Sequence, residues 1–187
     1  MLIRRFVSPA MSSRRRRSAA RSSRRLLAAL VIPLGCVASA QDIFVGGGST
    51  ADNTTATTYD SVTVEGTGST YSAKAPLTLT GPNATIAAFN DGLFEVLAPV
   101  TATDPAAYAF ASDGGRIRIA GNLTIPTGLF AASSDPGTLP SGRIVHESGV
   151  ITANELVLSG TGTYDRSGGT YTLAMLTAAV VRAGSRE

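Results

Sequence analysis

The sequence predicts an all-β chain whose short strands stack as a solenoid, with a β-sandwich as the alternative arrangement. Three observations carry this. Residues 41 to 187, 147 in all, hold 22 Thr, 19 Gly and 12 Ser with no Trp and one Lys, and β-branched Thr favours strands while Gly is costly inside helices. Short segments alternate with period two, among them Ser61-Val62-Thr63-Val64-Glu65, Leu77-Thr78-Leu79-Thr80, Gly92-Leu93-Phe94-Glu95-Val96, Arg116-Ile117-Arg118-Ile119 and Glu155-Leu156-Val157-Leu158. A shift of twenty residues aligns Gly149 with Gly169, Thr152 with Thr172 and Leu156 with Leu176, and a fixed period of this length marks a repeat architecture.

Along the chain, residues 1–40 come first. They hold nine Arg and no acid, and they end in the apolar run Leu26 to Leu34 followed by Ala38-Ser39-Ala40. A basic segment, an apolar core and small residues at a cleavage site make a helical signal peptide, cut after Ala40, so that Gln41 becomes the mature N-terminus. Met11 offers a second start, Ser23-Arg24-Arg25-Leu26-Leu27 has part of a twin-arginine signal, and Leu34-Gly35-Cys36 has part of a lipoprotein signal. Export to the periplasm, cell surface or medium is the expectation. The single Cys lies in this leader, so no disulfide stabilises residues 41–187. No later apolar run approaches the roughly 20 residues of a membrane helix.

Residues 41–60 are polar and read as a lead-in or a cap over the first rung; residues 61–176 carry the solenoid, and residues 177–187 form a tail. At about twenty residues a rung, six or seven rungs are expected. Gly115-Arg116-Ile117-Arg118-Ile119-Ala120-Gly121-Asn122-Leu123-Thr124-Ile125 reads strand, corner, strand. Ile117, Ile119, Leu123 and Ile125 point inward, and Gly121 and Asn122 are expected to take left-handed corner conformations. Asp104 to Tyr108 and Ser133 to Ser141 read as excursions from the stack.

Two stretches extend this pattern to a family. Ile151 to Tyr164 and Ser167 to Thr172 resemble the repeats of bacterial autotransporter passengers and related secreted surface β-helix proteins. That resemblance implies a right-handed parallel β-helix displayed outside the cell, often for adhesion, with glycans or cell-surface proteins as partners. No amphipathic strands for a C-terminal membrane barrel follow Leu176.

Chemistry-bearing residues are sparse. Seven basic residues oppose thirteen acids after residue 40, a net charge of 7 − 13 = −6, which argues against nucleic-acid binding. His146 stands beside Glu147, yet neighbours on a strand point to opposite faces, so it reads as a surface or turn histidine. Asp113, Arg116 and Arg118 come nearest to the site of a polysaccharide lyase or hydrolase, the rival reading; Arg116 and Arg118 share an outward face and are the candidate surface contacts. Asp52, Asp60 and Asp91 lack the spacing of calcium-binding rolls. Asn53, Asn83 and Asn122 head formal glycosylation sequons. The expectation is a non-enzymatic adhesion or surface-interaction module, or a truncated fragment of one, without catalytic residues, metal or cofactor. A lipid-anchored binding module, acylated at Cys36, is a further alternative.

Overall fold

The computed structural model describes residues 41–133, 139–178 and 182–183. The expected signal peptide and its expected cleavage residues Ala38 and Ala40 lie outside them, with Gln41 the first described position. Every described element is a strand, and every pairing is parallel. Parallel neighbours need a long connection back to the same edge, which a coiling chain supplies. The sandwich alternative, built from antiparallel sheets, is therefore set aside.

The chain coils past three faces in turn. The first turn is β1 (Ile43–Val45), β2 (Thr50–Asn53) and β3 (Thr57–Tyr59), followed by β4 (Val62–Glu65), β5 (Thr70–Ala73) and β6 (Leu77–Leu79). Next come β7 (Thr85–Phe89), β8 (Leu93–Val96), β9 (Val100–Ala102), β10 (Tyr108–Ser112) and β11 (Arg116–Ile119). From β12 (Leu123–Ala132) on, two faces share one long strand: its first half pairs with β9 and its second half with β10, and its register with the strand of the next turn shifts between Ile125 and Gly128. β13 (Arg143–His146), β14 (Val150–Leu158), β15 (Thr163–Arg166), β16 (Thr170–Ala178) and β17 (Arg182–Ala183) complete the stack.

From β2 to β15 the second face counts five full turns, Thr50 and Thr163 being 113 positions apart, about 23 a turn. The stack has about five turns, against an expected six or seven, because several turns exceed twenty residues. Arg116 pairs with Arg143, 27 positions on, the extra length lying in the excursion expected at Ser133 to Ser141, of which residues 134–138 are not among those described. The twenty-residue period holds where it was read: Thr152 pairs with Thr172 and Leu156 with Leu176. Residues 41–60 supply β1 to β3, paired with β4 to β6, so the polar lead-in is the first turn of the stack.

The core is a set of columns along the axis. Ala51, Tyr71, Phe94, Ile117, Ile144 and Tyr164 share one, with the Tyr71 and Phe94 rings stacked at 5.5 Å. Ile117, Ile119, Leu123 and Ile125 are all fully buried, as the alternation predicts; each contributes about 1.5–3 kcal/mol by burial. One turn has no room for a core of its own, so neighbouring turns share it.

Two expectations about corners are corrected. Gly121 and Asn122 do not have positive φ; that backbone occurs at Asn90, Asp91, Asp113 and Gly114. Gly121 is needed instead because a Cβ there would press on the Leu97–Ala98 backbone of the previous turn at about 2.9 Å. Asn122 accepts a hydrogen bond from the Val150 amide. The segment from Asp104 to Tyr108 is no excursion: Ala106 and Ala107 amides donate to Asp104, and Tyr108 opens β10.

Candidate functional site

Because the inside of the stack is closed, whatever this protein contacts meets its outer faces, and the three differ in chemistry. The third face, of β3, β6, β9 and the first halves of β12, β14 and β16, presents one unbroken column: Thr58, Thr78, Thr101, Thr124, Thr152 and Thr172. Threonine suits a half-solvated pleat, and these hydroxyls give the face an uncharged, hydrophilic surface.

The second face carries the charges. Ser72, Glu95 and Arg118 are successive rungs of one column. Arg118 donates to Glu95 Oε1 at 2.8 Å and, bidentately, to Glu147 at 2.9 and 2.8 Å, and Ser72 Oγ donates to Glu95 Oε2 at 2.7 Å. Partial burial pushes the Glu95 carboxyl up, but the Ser72 and Arg118 hydrogen bonds outweigh it, so it titrates below the ordinary range. Glu147 is held low by Arg118, whose guanidinium is in turn raised by Glu147 and then Glu95. With the Arg118 side chain 41% exposed, each of these pairs contributes under about 1 kcal/mol.

The two candidate contact residues thus part company. Arg118 is neutralised between two carboxylates, while Arg116 is exposed beside Arg143 in the next rung. Arg143 itself pairs with Asp165, and Lys74 pairs with Asp52 at 2.5 Å. Asp113 occupies a positive-φ corner. No group of three or more His, Cys, Asp or Glu that could hold a metal exists among the described residues, nor does any helix there have the length and apolarity to cross a membrane.

His146 is the largest correction. It is fully buried, pointing inward from β13 while Glu147 turns out to Arg118, so the pair cannot work together. Its Nδ1 lies 3.0 Å from the Tyr164 hydroxyl and its Nε2 3.4 Å from the Gly149 carbonyl. A neutral ring satisfies both partners, accepting from Tyr164 and donating to Gly149. Burial lowers its pKa and pushes the Tyr164 phenol up to about 12. Asn53 is buried as well, donating to the Thr55 and Ala75 carbonyls and accepting from the Lys74 amide, so its side chain is structural.

The first face is the one that sequence reasoning missed. Of the five Phe after residue 40, only Phe94 is in the core. Phe44, Thr63, Ala87, Phe110, Phe130 and Val157 form one outward column, flanked by Phe89 and Tyr108. Phe44 is 65% exposed. Tyr108 packs edge-on against Phe130, centroids 6.1 Å apart, and the position after Tyr108 in its own column is Gly128, over which the Glu155 side chain of the next rung lies. Beside Phe130 a groove of about 320 Å³ is lined by Tyr108, Phe110, Thr127, Phe130, Ala132 and Ser159. The available signal was alternation itself: Ala109 and Ala111 inside set Phe110 outside, as Leu129 and Ala131 do Phe130.

Compared with known protein families, characterised proteins and solved structures, the chain matches none.

Proposed function

We propose that residues 41–187 are an exported surface-interaction module, similar in kind to autotransporter passengers, that adheres through its aromatic first face to proteins or glycans of a cell surface. The coils are taken as right-handed, the hand of about 98% of parallel crossovers, and residues 1–40 as the export signal. One observation carries the reading: four of the five phenylalanines after the leader point outward from a single face. Contiguous exposed apolar surface is unfavourable in water and marks contact sites. The test is binding of the full chain to intact cells and to a glycan array, with Phe110→Ser as control. Binding lost in that variant while its melting temperature holds supports the reading; equal binding by both overturns it.

Glu95, Arg118 and Glu147 also favour a second reading, a polysaccharide-acting enzyme, since three charged groups meet on adjacent rungs. A glycosidase needs one carboxyl raised to act as acid, whereas both are lowered here, so the non-enzymatic reading is preferred. Release of reducing or unsaturated ends from uronate polysaccharides, abolished in Arg118→Gln, would reverse that preference.

A further inference from the structure

We infer that the partner of the aromatic first face is a second copy of this chain, held antiparallel across a two-fold axis; the inference rests on that face being the contact surface. The column Phe44, Thr63, Ala87, Phe110, Phe130 contains no charge and occupies five successive rungs. An isologous pair needs a patch complementary to itself. A two-fold axis parallel to the strands reverses the order of rungs while keeping positions along each strand. Placed at Ala87, such an axis sets Ala87 against Ala87, Thr63 against Phe110, and Phe44 against Phe130.

Size matches across these five rungs, with Val157 of the sixth beyond the paired region. Ala87 is only 7% exposed and lies outside the core cluster, a recessed methyl on the axis that lets two faces approach. Thr63 is small where Phe110 is large. At the ends, the most exposed phenyl ring, Phe44, meets the groove beside Phe130, whose volume of about 320 Å³ exceeds that of a benzyl group. The same operation delivers this contact twice. Two acids stand on this face beside the column, Glu65 next to Phe89 and Glu155 next to Gly128; the axis sets Glu65 against the Ser112 position and leaves Glu155 beyond the paired rungs, so no two carboxylates meet across the contact.

Area sets the strength. Five rungs at about 4.8 Å and five residues at about 3.3 Å give a flat footprint of roughly 400 Å² per copy, roughly 800 Å² in all, which is below the size of stable specific interfaces and suits only a weak, transient one. The dimer is therefore weak and forms only where the chain is concentrated.

Sedimentation velocity on the full chain, from roughly 5 to 500 μM, tests this. The wild type should pass from monomer to dimer across that range. Phe44→Lys and Phe130→Glu should each weaken association at least about tenfold, as loss of a central aromatic does. An equimolar mixture of the two variants should associate again, because the introduced ammonium of one then faces the introduced carboxylate of the other. Phe44 is mostly solvent-exposed, so its variant keeps the core; a thermal melt verifies both. A wild type that stays monomeric throughout, a Phe44→Lys variant that associates like wild type, or a mixture that fails to recover overturns the dimer. If the wild type is monomeric but binds cells in a Phe110-dependent way, the partner is wrong and the contact face stands; if neither occurs, both readings fall.

Discussion

Lowering the pH from 6.5 to 5.5 should weaken the fold through His146 alone. The ring is fully buried between Ile119 of β11 and Arg166 of β15 in its column, with Tyr164 and Gly149 as hydrogen-bond partners. Desolvation first, and the Arg166 charge after it, hold its pKa below the ordinary 6.5. In the unfolded chain the ring takes up a proton near pH 6.5; in the folded chain it does so only at lower pH. The unfolded state therefore binds more protons in this window, and stability falls as pH falls. The contribution is complete above pH 6.5 and is lost below it, down to the folded-state value.

The slope is at most about 1.4 kcal/mol per pH unit. In a domain of this length 1 kcal/mol moves the melting temperature by about 2–4 °C, so the drop is measurable and at most about 4 °C. His146→Gln retains a partner for the Tyr164 hydroxyl and does not titrate. Since the chain holds a single His, melting curves of the variant should be flat across the same interval. A wild type as flat as the variant, or a variant that falls as steeply, would refute the assignment of a neutral buried imidazole.

Three further outcomes are expected. Ile117→Ala, between Phe94 and Ile144 in the core column, should cost about 3 kcal/mol in denaturant unfolding, with an unchanged m-value. Gly115→Ala should cost about 1–3 kcal/mol by overpacking, as an inserted methyl does elsewhere, because the new Cβ would overlap the Ala88 carbonyl of the preceding turn; its far-UV circular dichroism should stay strand-dominated. Arg118→Gln leaves Glu95 and Glu147 without their cation, so it should cost about 1 kcal/mol at pH 7 and progressively less as the pH is lowered to 3, because the pair's contribution is complete above the ordinary carboxylate range and is lost as pH falls through the lowered folded-state values of the two carboxyls. An equal cost at both pH values would show that Arg118 acts through packing instead.

Alternation makes the core legible. Period two alone sets Ile117, Ile119, Leu123 and Ile125 inward, and the twenty-residue offset pairs Thr152 with Thr172 and Leu156 with Leu176, as the strands do. Both are local properties: a strand has two sides, and a parallel stack places equivalent residues one turn apart. The corners are less legible. Gly121 satisfies a close approach to the Leu97–Ala98 backbone, and Gly115 to Ala88, so these glycines are needed because of residues more than twenty positions away. No local pattern separates that requirement from a left-handed turn.

The surfaces show the same division. Composition and period two act within a few residues, and they suffice to specify a strand-rich, disulfide-free stack. Only the tertiary structure decided that His146 is a core residue, that Arg118 is spent on Glu95 and Glu147, and that Phe44, Phe110 and Phe130 share one column. Each depends on how many residues every turn contains, a length that varies from 19 between Ile43 and Val62 to 28 between Leu123 and Ile151. Register between turns is fixed by the shared core and the backbone ladder, and it brings together side chains that the sequence keeps far apart.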